Sequence, residues 1–300
     1  MSNVNQLIWF RQDLRVRDHA ALWHASQQGP CIGLIILSPE QWKMHHDAPI
    51  KINFYLRQLQ QLKKELEQLN IPLIIQVIPY WKDIADYIGE LSTQLNIENI
   101  YSNIETGVNE LKRDKTVQDF LNQQGKELFL FHDRTIFPLR SIRNQSQQPY
   151  QVFGAFKKAC YSKLDISGLP QCYPIPEKQS GYPASFSKIN SLTLEDIEAF
   201  FDPSVSKEQQ DLWPAGEVFA LDQLDVFIKD HLSDYKLERD FPNVKGTSQL
   251  SPYLNLGILS IRQCLQALFR AEHGNFHLTN EGQQTWLDEL LWREFYQHIL

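Results

Sequence analysis

The sequence predicts an α/β domain followed by an all-α one: a doubly wound parallel sheet of five strands, a long connector, and the start of a helical domain. Three observations predict this. Over roughly the first 135 residues, short apolar runs alternate with amphipathic helical stretches, and such alternation implies parallel strands joined by crossover helices. From about Phe137 to Gly216 the alternation stops, and eight prolines lie among Ser, Gln and Lys. After Ala220 the periodicity is helical throughout. The expected bounds are 1–136, 137–220 and 221–300.

Each element follows from its local pattern. Residues 7–10 read as the first strand and 18–27 as a helix with Asp18 at its N-cap. Residues 31–37 form the second strand. A long helix over 49–69 carries apolar residues at Ile52, Phe54, Tyr55, Leu59, Leu62, Leu66 and Leu69. A strand over 71–78, a helix over 81–95, a strand over 99–104, a helix over 108–122 and a fifth strand over 127–131 complete the domain. The connector holds one good helix, 152–164; loops of this length are uncommon inside a compact domain. The helices beyond it span 221–238, 251–255, 260–271 and 285 to the end. Ser260 and Gln263 have capping-box spacing. The last helix runs into Leu300 without a Gly, Asn or Pro stop signal, and Phe295, Tyr296, Ile299 and Leu300 need apolar partners. The expectation is an incomplete second domain, a fragment.

Composition narrows the class. Hydrophobic residues make up 42% and charged residues 22%, a globular balance. The net charge of −7 argues mildly against a nucleic-acid binder, which usually carries a basic surface, although total charge does not reveal a local patch. Cys31, Cys160, Cys172 and Cys264 stand apart without metal or disulfide spacing, which points to a reducing compartment. The N-terminus lacks a signal-peptide run and no stretch has the length of a membrane span. The expectation is a cytoplasmic monomer without a membrane.

Three clusters carry potential chemistry. Thr247, Ser248 and Ser251 place hydroxyls where a helix begins, with Ser251 at N-cap and Pro252 at the first helical position; this suits a phosphate, though a plain capped helix is the commoner meaning of such a pattern. In the last helix Trp286, Glu289 and Arg293 share a face, with Trp292 and Tyr296 adjoining. A carboxylate among indoles and a guanidinium can bind and stack a base, yet core Trp and an i, i+4 ion pair explain the pattern as well. His45 follows the second strand, and Asn109 and Glu110 follow the fourth, on the ligand edge of such a sheet. They suit the amide-like edge of a pterin or purine, or are ordinary first-turn residues. The first strand lacks the glycine-rich fingerprint of a dinucleotide site. No Ser-His-Asp set, P-loop or metal motif is present, so hydrolysis and phosphoryl transfer have no support.

The segment Leu7-Ile8-Trp9-Phe10-Arg11-Gln12-Asp13-Leu14-Arg15-Val16-Arg17-Asp18 resembles the opening of the photolyase/cryptochrome family. Gly246-Thr247-Ser248-Gln249-Leu250-Ser251 and the run from Trp286 to Tyr296 resemble two further family motifs in the right order. Within the family the sequence is most similar to class I cyclobutane pyrimidine dimer photolyases of the folate-antenna type.

The resemblance implies an α/β antenna domain and a helical FAD-binding domain. It implies FAD contacts from Tyr235, Thr247, Ser248, Gln249, Leu250, Ser251, Trp286 and Arg293. His45, Asn109 and Glu110 would hold 5,10-methenyltetrahydrofolate. Glu289 and Trp292 would be catalytic, hydrogen-bonding and packing on a flipped-out dimer, with Arg239, Arg293 and Tyr296 also toward DNA containing pyrimidine dimers. The implied activity is light-driven repair by electron transfer from excited reduced flavin, the reaction of a deoxyribodipyrimidine photo-lyase. The Trp9 to Asp13 segment would be structural. Family members continue past residue 300, and between His231 and Leu300 six Lys/Arg face eight Asp/Glu, so the basic DNA groove is expected elsewhere. The alternatives are a cryptochrome-type light sensor without repair, and a fragment that binds only the antenna chromophore.

Overall fold

The computed structural model describes residues 4–202, 204–271 and 278–299, with the main chain alone for Ala184 and Lys188. Pro203, in the expected connector, and Leu300, at the end of the last expected helix, lie outside the described residues. The chain divides into two compact units, one of Met1–Phe131 with Tyr173–Gly216, the other of His132–Cys172 with Glu217–Leu300. The stretch 137–220 is thus shared between two folded bodies.

In the first unit β1 (Asn5–Phe10), β2 (Cys31–Leu37), β3 (Leu73–Val77), β4 (Ile97–Asn103) and β5 (Glu127–Phe131) form one sheet in the order β3-β2-β1-β4-β5. Every pairing is parallel, as the alternation requires. The helices are α1 (Ala20–Ser26), α2 (Pro39–Met44), α3 (Pro49–Gln68), α4 (Ile84–Gln94) and α5 (Val108–Gln123). Ile8 and Phe10 pack with Leu56, Leu59 and Leu62 on one face, while Leu7 and Trp9 pack with Ile88, Leu91 and Val117 on the other. A sheet covered on both faces needs apolar side chains on both, hence the unbroken runs Leu7–Phe10 and Cys31–Leu37.

Two local expectations need correction. α1 begins at Ala20 and its N-cap is His19, whose Nδ1 accepts from Leu22 N at 3.0 Å. Asp18 stands just outside at φ 51°, and its Oδ1 accepts from Tyr173 N at 2.8 Å. Asp tolerates the left-handed region, so here its carboxylate ties down a distant loop. The α2 turn, which lacks apolar periodicity, was not expected from the sequence.

The carboxyl ends of β1 and β4 are closed by a buried ion network. Arg11 Nη1 lies 2.6 Å from Asp114 Oδ1, and Arg113 Nη2 lies 2.7 Å from the same oxygen and 2.8 Å from Glu105 Oε2. Arg11 also donates to the Asn103 carbonyl. Asp13 accepts from the Arg11 N–H at 2.7 Å and from Asn103 Nδ2 at 2.9 Å, with His19 Nε2 at 3.1 Å. Both guanidiniums lie over Trp9, 4.6 Å and 4.9 Å from its ring centre. Segment Trp9 to Asp13 is therefore structural.

The second unit holds α6 (Phe153–Ser167) and the helices after residue 216; α7 (Leu194–Glu198) and α8 (Lys207–Asp211) belong to the first. The expected single helix over 221–238 is four pieces: α9 (Glu217–Val226), a π turn (Phe227–His231), a 3₁₀ turn (Leu232–Asp234) and α10 (Tyr235–Glu238). Then come α11 (Ser251–Asn255), α12 (Ile261–Ala271) and α13 (Glu281–Ile299). The N-cap of α11 is Leu250, with Ser251 already the first helical residue, so the expected Ser251 cap is shifted by one. The Ser260 capping box is present, with Gln263 N to Ser260 Oγ at 3.0 Å and the return bond at 2.8 Å. α13 starts four residues before the expected 285 because Asn280 Oδ1 accepts from Gln283 N at 3.1 Å.

Gly282 explains how α13 meets the interrupted helix. A Cβ there would stand 2.1 Å from the Leu232 carbonyl oxygen and 2.6 Å from that of Ser233. Backbone cannot yield as a flexible side chain can, so Gly282→Ala should lower stability by about 2 kcal/mol. Urea unfolding checks this; an unchanged midpoint would refute the close approach.

The ion network sets an acid limit. Burial alone would raise Asp114, but the charges and hydrogen bonds of Arg11 and Arg113 outweigh it and hold the carboxyl below its usual range. Burial likewise opposes the lowering of Asp13, which His19 and Arg11 impose. A carboxylate lowered on folding stabilises above its unfolded pKa and loses that contribution as pH falls through the folded value. Stability from these groups should therefore hold from neutral pH to about pH 4 and decline below it. Asp114→Asn, which leaves two guanidiniums short of a partner, should cost about 3 kcal/mol at pH 7. Urea midpoints across that pH range, with and without the substitution, test both statements.

Candidate functional site

Open parallel sheets bind ligands beyond the carboxyl ends of their strands, where the strand order reverses. Here the reversal lies between β1 and β4, and Arg11, Asp13, Asn103 and Asp114 fill it. The lip beyond β2 and β3 is built differently. His45 is the exposed C-cap of α2, and its ring meets Trp81 edge-on at 5.2 Å and 89°. Trp81 opens a 3₁₀ turn (Trp81–Asp83) after β3. The Arg113 guanidinium lies 4.7 Å from the Trp81 ring centre. One turn before Arg113, exposed Asn109 and half-buried Glu110 stand in the first turn of α5. A Cβ on Gly107 would come 2.0 Å from the Glu110 carboxylate, so that side chain folds back over the N-cap.

His45 and the start of α5 are thus linked through Trp81 and Arg113. The lip combines an indole, an amide and a carboxylate. Arg113 is already tied to Glu105 and Asp114, so the edge of a flat ring with amide-like donors and acceptors fits it better than an anion does. Sequence reading missed Trp81, taken only as the start of a helix. Its signal was an aromatic residue directly past a strand end.

In the helical unit, α13 lies antiparallel to α6. Phe153 stacks on Trp292 with ring centres 3.7 Å apart and planes 13° apart; one turn along, Lys157 Nζ reaches Asp288 at 2.8 Å, and Tyr161 donates to it at 3.1 Å. Tyr296 extends the stack, 5.7 Å from Trp292 at 25°, and is 55% exposed. Arg239 Nη1 donates to Glu289 Oε1 at 2.5 Å, and its guanidinium lies 5.4 Å from the Tyr235 ring centre. The hydroxyl loop joins this group because a Cβ at Gly246 would stand 2.3 Å from Glu238 Cβ, at the end of α10. Gln223 Nε2 donates to the Ser248 carbonyl at 3.2 Å. Thr247, Gln249 and Ser251 are exposed, and the Gln249 backbone is left-handed at φ 52°.

Tyr235, Arg239, Glu289 and the loop from Gly246 to Ser251 are therefore brought together. Trp292 and Tyr296 form a neighbouring aromatic platform. Three residues are placed otherwise. Leu250 is 1% exposed and packs in the core. Trp286 is 2% exposed, with its ring centre 5.1 Å from that of Phe227. Arg293 donates to the Arg134 carbonyl at 2.6 Å, and its burial depresses it to about 10; it links main-chain segments. Glu294 has no role in the sequence motifs. This carboxylate is fully buried and accepts from Ile136 N at 2.8 Å and Phe137 N at 3.0 Å. Burial lifts the thiols of Cys31 and Cys264 to about 12, which makes them poor nucleophiles. Among the described residues no cluster suits a metal, and no helix is long and apolar enough to cross a membrane.

Comparison with known proteins converges on one family. The family model for DNA photolyase matches residues 6–178. The deoxyribodipyrimidine photo-lyase of Buchnera aphidicola subsp. Acyrthosiphon pisum is 36% identical over 299 residues, covering 98% of this chain and 59% of that protein. The enzyme of that name from Vibrio cholerae is 34% identical over 296 residues, covering 98% and 61%. The crystal structure of a Synechocystis sp. PCC6803 cryptochrome superposes with a TM-score of 0.84 at 25% identity, over 100% of this chain and 62% of that one. The chain thus spans about three-fifths of the length of these relatives. With the motifs, the sheet order and the helical cluster in agreement, this chain belongs to the DNA photolyase family.

Proposed function

We propose that this chain serves the light-driven repair of cyclobutane pyrimidine dimers in DNA, with FAD in the helical unit and a folate, 5,10-methenyltetrahydrofolate, as antenna at the lip of the sheet. The observation that carries the reading is the face of α13, where Glu289 is fixed by Arg239 beside the stacked rings of Phe153, Trp292 and Tyr296. A carboxylate paired with a guanidinium accepts hydrogen bonds, and the donor a thymine ring offers is its N3–H. Glu289 Oε1 faces Arg239, and the remaining lone pairs of the carboxylate are the acceptors for that N–H. The half-buried ring of Trp292, stacked parallel to Phe153, and the exposed ring of Tyr296 beside it supply the flat surface on which an extruded base packs.

The donor set fits a flavin dinucleotide. The exposed side chains of Thr247, Gln249 and Ser251 present hydroxyl and amide groups for its phosphates and ribityl chain, close to Tyr235. When bound, reduced flavin supplies the electron that opens the cyclobutane ring under light and takes it back afterwards. The protein positions the damaged base and shapes its electrostatics. At the sheet edge Asn109 and Glu110 are the hydrogen-bonding pair for a pterin edge, and Trp81 offers it an aromatic wall.

A cryptochrome-type light sensor without repair is the second reading, favoured by the fold match to the Synechocystis protein. A repair assay separates the two. The chain is reconstituted with FAD, reduced, and illuminated with an oligonucleotide carrying one thymine dimer. Restoration of two intact thymines within the strand supports repair; bound flavin with no repair favours the sensor. Glu289→Ala should lower the affinity for the dimer about tenfold, and Trp292→Ala by a similar factor. Asn109→Ala should abolish a near-ultraviolet folate band while leaving flavin absorption unchanged. Wild-type dimer affinity in both α13 variants would exclude this face as the dimer site.

A further inference from the structure

A second cationic cluster in the helical unit stands outside the residues discussed so far. The loop after Phe137 doubles back on itself, with an antiparallel bridge between Arg143 and Pro149 and left-handed backbone at Arg140 (φ 63°) and Gln147 (φ 59°). Arg143 Nε donates to the Arg140 carbonyl at 2.8 Å, and Nη1 donates to that of Gln147 at 3.0 Å. Its guanidinium is thereby held across the loop. Arg140 is exposed, and its side chain has no hydrogen bond or ion pair among the described residues.

This loop faces the last turn of α13 across a pocket of about 520 Å³, lined by Arg140, Arg143, Tyr150, Phe295 and His298 among others. An inner recess of about 10 Å³ reaches between the same arginines, Phe156 and His298. Among the described residues no carboxylate lines either one. His298 supplies the independent observation. Its side chain is 4% exposed, and Nε2 lies 3.0 Å from Glu294 Oε1. That contact assigns the Nε2 proton to the carboxylate, leaving Nδ1 buried and without a hydrogen-bond partner among the described residues. Buried imidazole nitrogens are normally satisfied, so an unpaired Nδ1 on a residue that lines both cavities together with Arg140 and Arg143 marks a position for a ligand atom.

We propose that this pocket binds a phosphate group. Arg140 and Arg143 supply charge-assisted donors, Tyr150 supplies a hydroxyl, and His298 Nδ1 accepts from a protonated phosphate oxygen. The carbonyl end of α13 opposes an anion, but this effect is weaker than two guanidinium contacts. The phosphate belongs either to a nucleic-acid backbone or to a small molecule.

The test follows the His298 ring proton by NMR, assigned by its loss in His298→Gln, at constant ionic strength. One titration uses inorganic phosphate and another a short undamaged single-stranded oligonucleotide, with chloride as control. The expected result is a saturable shift, weakened about tenfold or more by Arg140→Gln. Because Arg140 is exposed, that substitution leaves the fold intact. Tighter saturation by the oligonucleotide identifies a backbone phosphate, and tighter saturation by free phosphate a small-molecule source. No saturation by either, or saturation that Arg140→Gln leaves unchanged, overturns the proposal. Neither flavin, light nor a dimer is involved, so this outcome is independent of the repair reading.

Discussion

A charge removed from water must be paired, and that constraint organises both units. In the first, Arg11 and Arg113 share Asp114 at the closed end of β1 and β4, with Trp9 beneath them. Breaking such a pair leaves a buried charge without compensation, which costs far more than a surface ion pair contributes. The first strand therefore cannot shift register without disconnecting Arg11 from α5. The same network occupies the crevice that doubly wound folds commonly give to a dinucleotide. A ligand on this sheet must lie farther out, where α2, the turn after β3 and the start of α5 present His45, Trp81 and Asn109.

In the helical unit the corresponding group is Glu294. Its two main-chain donors and its histidine lie inside an apolar core, so the helix has one rotation in which this carboxylate is satisfied. At about 100° per residue, Leu287, Leu291 and His298 fall within about 60° of Glu294 and are buried with it. Glu289, Trp292 and Tyr296 then lie about 140° to 160° away, on the opposite side. The candidate dimer face thus follows from where Glu294 must point. Trp286 and Arg293 lie on one side between the two, about 80° and 100° from Glu294, which is why one is core and the other reaches main-chain carbonyls although both share a stripe with Glu289 in the sequence.

What the sequence made legible was what depends on local periodicity and on long motifs. The five strands, the long helices α3 and α5, and the Ser260 capping box are read from neighbouring residues. Pairing across distance is not. Arg113 and Asp114 sit in the run Asn-Glu-Leu-Lys-Arg-Asp-Lys, which reads as a solvated helix face; their burial depends on Arg11, about a hundred positions earlier. Asp18 looked like a cap because caps are commonly Asp, but His19 stood one residue nearer the helix and Tyr173 needed a partner. The break after Val226 has no proline or glycine to announce it. Its trace is Gly282, more than fifty residues later, whose missing side chain admits the carbonyls of the 3₁₀ turn. At the candidate site, Glu289 and Trp292 were legible from their motif, whereas Phe153, Trp81 and Glu294 act through partners that a linear reading does not connect.

The acidic balance of the chain, −7 overall, bears on how such a site would engage DNA. Charge neutralisation supplies most non-specific affinity, while recognition of an extruded base rests on stacking and hydrogen bonds at one place. In the helical unit Lys157, Lys229, Lys236 and Arg239 each face a carboxylate, so their charge is largely cancelled locally. Arg140 and Arg143 are not cancelled in this way, and they lie near the end of the helix whose middle carries Glu289 and Trp292. The unit therefore separates two tasks along α13. A nearly neutral patch with aromatic rings can read a base, and a small cationic pocket beyond it can hold an anion. The same residue couples them, because the carboxylate of Glu294 that fixes the rotation of the helix also orients the imidazole of His298 in the pocket.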